Sequence, residues 1–105
     1  MVERSQYLYV LRPVRLAMLT AGPTPEEAVT LERHSAYLQA LAESGTALLF
    51  GRTQTADAKT IGLVILAAES PGEAQRLMEE DPAVAEGVMR AELFPYRIAG
   101  GALTG

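Results

Sequence analysis

Two segments of the chain open with the same pattern, and their position between short apolar segments is the feature that most restricts the fold. One opens with Thr24-Pro25-Glu26-Glu27 and the other with Ser70-Pro71-Gly72-Glu73. Each combines a hydroxyl residue that suits a helix cap, a proline that suits the first helical position and a glutamate three residues after the cap. These patterns predict two helices, the first ending before Gly45 and the second at Asp81-Pro82.

Four short segments rich in apolar residues are predicted to be strands: residues 7–12, 47–51, 61–68 and 89–98. With the two helices between them, the order of elements is β-α-β-β-α-β. This order predicts an α+β, ferredoxin-like fold with a four-stranded antiparallel sheet. Pro95, inside the last segment, has no backbone N–H to donate and therefore predicts an edge position or a bulge.

The first three predicted strands carry apolar side chains at both odd and even positions. Because successive side chains of a strand point to opposite faces, the sheet is predicted to be apolar on both faces. The helices of this fold cover one face only, and an uncovered apolar face is an interaction surface. A second copy of the chain is the simplest cover. We therefore expect a homodimer in which the two sheets pack face to face.

The length of 105 residues and the hydrophobic content of 49% fit one packed domain over residues 1–105. The net charge of −4 argues against binding to nucleic acid. The longest apolar run, residues 61–68, is too short to span a bilayer, and residues 1–6 lack the apolar stretch of a signal peptide. We expect a soluble cytoplasmic protein without a nucleic-acid or membrane partner, and with a glycine-rich tail at residues 100–105 that frays.

The chain has no cysteine and one histidine. Thiolate catalysis, disulfides and cysteine-based metal sites are thereby excluded, as is a metal cluster built from several histidines of one chain. The sequence also lacks the G-x-S-x-G nucleophile motif, the Walker loop and the dinucleotide-binding fingerprint. We therefore expect no metal site.

His34 is the first candidate for chemistry. At helical spacing it lies beside Leu38 and Leu41, at the margin of the apolar stripe of the first predicted helix. Imidazole titrates near neutral pH, which suits a general acid or base. The alternative interpretation is a histidine at the edge of the core that is bonded to a backbone group.

Asp81 is the second candidate, because a carboxylate beside a histidine orients the ring and stabilises its charged form. Asp81 can equally cap a short helical turn that begins at Pro82 and ends at Gly87. Both interpretations stay open, because local sequence pattern does not show whether Asp81 meets His34.

Three further residues are candidates for binding a substrate: Arg12, Gly51 and Arg52. Arg12 and Arg15 flank Pro13 at the start of a long connection, where an arginine can hold a carboxylate or an enolate. A solvated loop arginine is the alternative. Gly51 and Arg52 end the second predicted strand, where a glycine either allows the close approach of a ligand or only turns the chain.

Short motifs run through the chain in this order: Tyr9-Val10-Leu11-Arg12-Pro13, His34, Tyr37-Leu38, Leu41, Gly45, Gly51-Arg52, Ser70, Ala74, Asp81-Pro82-Ala83-Val84, Gly87-Val88-Met89 and Glu92-Leu93-Phe94-Pro95-Tyr96-Arg97. In these residues and their order, the chain resembles the YciI-like (YCII-related) family over nearly its whole length. The resemblance implies a dimeric α+β barrel and a pocket in which the family's histidine and aspartate correspond to His34 and Asp81. One branch of the family contains a dehydrochlorinase without a metal or organic cofactor, so the resemblance also implies that no cofactor is needed. Many members carry Gly-Pro after the second strand, whereas this chain has Gly51-Arg52-Thr53, and the pocket mouth is expected to differ.

Three hypotheses for function follow. In the first, the protein is a cofactor-independent enzyme whose His34 moves a proton on a small cyclic or aromatic acidic molecule, by elimination, isomerisation or hydrolysis. Asp81 would orient the ring and Arg12 would bind the anionic group. In the second, the chain is a small-molecule-binding or accessory dimeric module without turnover. In the third, His34 and Asp81 are both structural.

Overall fold

The computed structural model describes residues 3–102 of the predicted domain. The first two residues and the last three residues of the predicted tail lie outside the described part. Within it, the elements in chain order are β1 (Ser5–Pro13), α1 (Ala17–Thr20), α2 (Pro25–Glu43), β2 (Ala47–Arg52), β3 (Gly62–Ala68), α3 (Pro71–Glu79), α4 (Pro82–Ala85) and β4 (Met89–Tyr96).

The four strands form one antiparallel sheet in the order β2-β3-β1-β4. The two central strands are β1 and β3, and Tyr9 of β1 lies opposite Val64 of β3 and Leu93 of β4. The predicted ferredoxin-like α+β fold is therefore confirmed. Pro95 lies in β4, which is an edge strand as predicted, so its missing N–H leaves no gap inside the sheet.

Both predicted helix starts are confirmed. At the start of α2, the hydroxyl of Thr24 accepts a hydrogen bond from the Glu27 N–H at 3.1 Å, and the Glu27 carboxylate accepts one from the Thr24 N–H at 2.8 Å. At the start of α3, the hydroxyl of Ser70 accepts from the Glu73 N–H at 3.1 Å. Each bond satisfies a backbone donor that has no partner within the helix.

Two short helices complete the fold. The sequence predicted a helical turn at Pro82 as one interpretation, and α4 confirms it; the turn is followed by Gly87, whose φ of +75° is favourable only for glycine. The four-residue helix α1 was not predicted, and it lies in the long connection between β1 and α2. Its buried Met18 anchors that connection to the rest of the domain.

The hydrophobic core lies between the helices and one face of the sheet. On that face, Tyr9 and Leu66 are fully buried, and they pack with Leu38 of α2 and Met78 of α3. The opposite face carries the other apolar set of the strands, including Leu8, Val10, Leu49, Phe94 and Tyr96, which are half-buried or exposed. The sheet is thus apolar on both faces, and helices cover one of them.

Among residues 3–102, no helix combines the length and the apolar character needed to cross a membrane.

Candidate active site

His34 and Asp81 are in direct contact. The Nδ1 atom of His34, on α2, lies 2.7 Å from the Oδ1 atom of Asp81, which precedes α4. The carboxyl side chain is fully buried, whereas 16% of the imidazole surface remains exposed. The structure therefore brings together the two residues that the sequence pattern proposed separately and the family resemblance paired, with the carboxylate on the inside and the ring towards solvent.

The capping interpretation of Asp81 is also correct, because one carboxylate oxygen serves both purposes. Asp81 is the N-cap of α4, and its Oδ1 accepts a hydrogen bond from the Ala83 N–H at 2.9 Å. The same Oδ1 faces the ring of His34. The position of the carboxylate is consequently fixed by the backbone of α4, and the ring packs against an acceptor that is already held in place.

Tyr9 supplies a third contact to the carboxylate, which the sequence analysis missed. Its hydroxyl donates to the Oδ2 atom of Asp81 at 2.8 Å, from a ring that is fully buried in the centre of the sheet. A usable signal was present in the sequence, because a tyrosine on the core face of a central strand needs a partner for its hydroxyl. Burial, reinforced by the charge of Asp81, raises the pKa of Tyr9 well above its ordinary value of 10.

These contacts determine which ring nitrogen of His34 is available for chemistry. A carboxylate accepts hydrogen bonds and cannot donate them, so Nδ1 of His34 must carry the proton in the bond to Asp81. The other nitrogen, Nε2, makes no hydrogen bond to any residue between 3 and 102. In the neutral ring, Nε2 therefore presents a lone pair, and in the charged ring it presents a proton.

His34 lines a cavity of about 360 Å³ between α2 and the β2–β3 end of the sheet. Its apolar walls include Leu11, Leu31, Leu38, Phe50 and Met89. Its polar lining residues are His34, Ser35, Gln39, Arg52 and Thr60. A cavity with apolar walls and a few polar groups is the usual form of a small-molecule site.

Gly51 and Arg52 both line this cavity, so the structure brings two of the predicted binding residues to His34. The Arg52 guanidinium donates to the carbonyl oxygens of Thr53 at 3.2 Å and Thr55 at 3.3 Å. It forms no ion pair with any carboxylate in the described part of the chain. A Cβ atom placed on Gly51 would meet no atom within 4 Å, so the backbone borders open space at this point.

Arg12 does not line the cavity of His34. It lies opposite Arg90 on the neighbouring strand, and both residues line a separate hollow of about 400 Å³ together with Glu92. Arg12 follows Leu11 in β1, and alternation along the strand directs the two side chains to opposite faces of the sheet. Its role in binding a substrate stays a prediction, and any contact it makes with a ligand belongs to that second hollow.

No group of three or more histidine, cysteine, aspartate or glutamate side chains within residues 3–102 is arranged to hold a metal ion.

The fold and the site together define a ferredoxin-like α+β domain with a buried carboxylate that holds a histidine in the wall of a cavity. The sequence matches the model of the YCII-related domain over residues 8–97. The chain belongs to the YCII-related family.

One similar solved structure supports the fold. The 5-chloro-2-hydroxyhydroquinone dehydrochlorinase TftG from Burkholderia phenoliruptrix, in complex with 2,5-dihydroxybenzoquinone, is 20% identical with a TM-score of 0.61, and the match covers 87% of this chain and 93% of TftG. A hypothetical protein from Arabidopsis thaliana is 16% identical with a TM-score of 0.47, and that match covers 98% of this chain and 97% of the other. A search of curated proteins found no match.

Proposed function

We propose that the protein is a cofactor-independent enzyme in which His34 acts as general acid and base on a small cyclic or aromatic acidic molecule. The observation that carries the proposal is the 2.7 Å contact between His34 and the buried Asp81 in the wall of a cavity of ligand size. A histidine held by a buried carboxylate, with its second nitrogen unengaged, has the arrangement that proton transfer requires.

In this proposal, Nε2 of His34 takes a proton from the bound molecule and later returns it or releases it to solvent. Asp81 keeps Nδ1 protonated, orients the ring and stabilises the imidazolium that forms. TftG is named as a dehydrochlorinase, and a dehydrochlorination removes one proton and one chloride from its substrate. A reaction of that class needs a base of this kind, and isomerisation or hydrolysis in the same cavity would use the same pair.

The lining of the cavity supports the class of substrate. Phe50 and the aliphatic side chains favour an apolar ring, and the volume of about 360 Å³ lies at the small end of ligand pockets. Arg52 offers a cation without a carboxylate partner among the described residues, which favours an anionic substituent on that ring. The ring compound bound to TftG, 2,5-dihydroxybenzoquinone, is of this kind.

We further propose that the chain acts as a homodimer that buries the uncovered face of the sheet. Leu49, Phe94 and Tyr96 on that face have relative exposures of 39%, 38% and 43%, and Leu8 and Val10 extend the same apolar surface. Contiguous exposed apolar side chains on one face mark an interaction surface. Light scattering should give twice the chain mass, and Phe94→Glu should halve it while the circular dichroism stays the same. A monomeric wild-type protein at micromolar concentration would contradict the dimer.

A second candidate is a small-molecule-binding module without turnover. It is favoured by the observation that two of the three side-chain contacts of Asp81 have a structural explanation, since the residue caps α4 and accepts from buried Tyr9. The two functions share the cavity and differ in whether the ligand is chemically changed. The location of the protein in the cytoplasm and the absence of a nucleic-acid partner stay predictions from the sequence.

The deciding experiment separates binding from turnover. Binding is measured with 2,5-dihydroxybenzoquinone, and turnover is measured as chloride release from a panel of halogenated hydroquinones. His34→Gln keeps the size and polarity of the side chain, and we expect it to retain binding while turnover falls about 10²- to 10⁴-fold, the usual contribution of a general acid–base. Asp81→Asn should lower turnover in the same direction. Full turnover in His34→Gln would overturn the enzyme proposal, and wild-type binding without turnover across the panel would favour the module.

A further inference from the structure

We infer that Tyr9 is a positioning residue of the His34–Asp81 pair, and that its hydroxyl limits how strongly Asp81 favours the protonated form of His34. The inference rests on the proposed function, because it assigns a third member to the same site. It concerns a buried residue that touches neither the cavity nor a ligand and acts through the carboxylate alone.

The two oxygen atoms of Asp81 have different partners. Oδ1 accepts from the Ala83 N–H and from His34, at 2.9 Å and 2.7 Å. Within the described residues, the hydroxyl of Tyr9 is the single donor to Oδ2, at 2.8 Å. Both Tyr9 and Asp81 have no solvent exposure, so water does not compete for this bond. The carboxylate thus stands between two ring side chains, one on the central strand and one on α2.

A donor to a carboxylate stabilises its negative charge and thereby weakens its pull on a second donor. When the Tyr9 hydroxyl is present, part of the charge of Asp81 is neutralised at Oδ2. Without it, more of that charge acts on His34 through Oδ1, and the imidazolium form is favoured. Because burial and Asp81 raise the pKa of the phenol, Tyr9 stays a donor throughout the range in which a histidine titrates.

Other ionisable groups near the pair must stay constant in a test of this inference. These groups are Tyr37, Arg52, the Arg76–Glu80 ion pair and the Arg33–Glu86 ion pair. Tyr37 offers a matched control, because its hydroxyl donates at 2.6 Å to the carbonyl oxygen of Leu77 and does not contact Asp81. Removing either hydroxyl deletes one oxygen from a tyrosine beside the site.

The experiment is a proton NMR titration of the imidazole in the whole protein, where the single histidine assigns its own signals. In Tyr9→Phe, the pH midpoint of the titration should rise, and in Tyr37→Phe it should stay at the wild-type value. A merely structural role for Tyr9 would lower stability and leave the midpoint unchanged, and that result in folded Tyr9→Phe would overturn the inference. A raised midpoint in a protein without turnover would refute the enzyme and leave the Tyr9 inference standing.

A second measurement applies if Tyr9→Phe does not fold. The chain has four tyrosines, and labelling the wild-type protein with fluorotyrosine gives one fluorine signal for each. Tyr→Phe variants of the other three tyrosines identify their signals, and the remaining signal belongs to Tyr9. The Tyr9 signal should shift with the same midpoint as the ring protons of His34, because the two side chains share one carboxylate. A Tyr9 signal that stays constant through the titration of His34 would overturn the inference.

Discussion

His34 and Asp81 are separated by 47 residues in the chain, yet their side chains meet at 2.7 Å. The contact exists because α2 packs against α4, the short helix that Asp81 caps. His34 lies on α2, which has 19 residues, and Asp81 is the N-cap of α4, which has four. The position of the carboxylate is set mainly by its cap bond to the Ala83 N–H. Substitutions of Asp81 should therefore distinguish the effect of losing the cap from the effect of losing the negative charge.

Asp81→Asn should largely preserve the stability of the fold, whereas Asp81→Ala should lower it. The amide oxygen of asparagine can occupy the Oδ1 position and accept from Ala83 and His34, and its NH₂ can donate to the Tyr9 oxygen. Alanine removes the cap and leaves buried donors unpaired, at a cost of about 2–4 kcal/mol in the free energy of unfolding. Urea denaturation measures both variants. Equal losses in the two would contradict the assigned contacts of the two oxygens.

Arg52 should select for anionic ligands. Under the proposed function, the affinity for 2,5-dihydroxybenzoquinone should fall about 10- to 100-fold in Arg52→Gln, as for loss of a hydrogen bond to a charged group. Its neutral dimethoxy analogue serves as the control ligand and should bind equally well to the variant and to wild type. Isothermal titration calorimetry gives both dissociation constants. An equal loss of affinity for both ligands would mean that Arg52 shapes the cavity without recognising charge.

The ion pair at the start of α2 should make stability depend on pH in the acid range. Arg15 donates to Glu27 at 2.6 Å and 3.0 Å, and this pairing, with the Thr24 N–H bond, lowers the pKa of Glu27 from 4.5 to about 2. Since the folded state binds this proton less readily than the unfolded chain, the stabilisation is complete above pH 4.5 and is lost as the pH falls to about 2.

Glu27→Gln tests this pH dependence. The variant should be less stable than wild type at pH 6, and the difference should shrink as the pH falls through about 2. Glu26→Gln removes the same charge from the same helical turn, where Glu26 forms no ion pair with any residue in the described range. It is therefore the control and should show a smaller difference. Thermal melts across the pH range provide the comparison, and a difference for Glu27→Gln that is as large at pH 2 as at pH 6 would contradict the ion pair.

Alanine substitution should change the free energy of unfolding in opposite directions at two glycines. Gly51 has an ordinary φ and open space where a Cβ would lie, so Gly51→Ala should raise the free energy of unfolding by about 0.4–1 kcal/mol. Gly87 also has open space, but its φ of +75° disfavours any other residue, and Gly87→Ala should lower the free energy of unfolding by about 1 kcal/mol. Chemical denaturation measures both variants, and a loss of stability in Gly51→Ala would contradict the open space at its Cβ position.

The sequence predicted the parts of this structure that depend on neighbouring residues. Thr24 and Ser70 cap helices through residues three positions away, and Pro95 restricts its own strand, so local chemistry was sufficient in each case. The contact of His34 with Asp81 required the packing of two helices, which no local pattern encodes. The family resemblance predicted that the two residues share a pocket, and the structure shows that Nδ1 of His34 and Oδ1 of Asp81 are the atoms in contact.

The remaining differences also have physical causes. The bond of Tyr9 to Asp81 joins residues 72 positions apart in the chain, so it depends on the packing of β1 against the segment that precedes α4. Arg12 was predicted as a binding residue from its place after the first strand, but strand alternation places it in the hollow with Arg90. Helix α1 has four residues and its cap makes no side-chain hydrogen bond, so the sequence carried no start signal for it.

The sharing of Oδ1 between the cap and the ring gives the site a built-in reporter. The Ala83 N–H donates to the same Oδ1 atom that contacts His34. This amide proton therefore exchanges with solvent deuterium only when its hydrogen bond to Oδ1 is broken. The exchange rate of this one amide consequently measures how often the cap bond of Asp81 opens, which displaces the oxygen that His34 contacts. A ligand that stabilises the capped position of Asp81 should slow that exchange, even when the ligand itself gives no optical or catalytic signal.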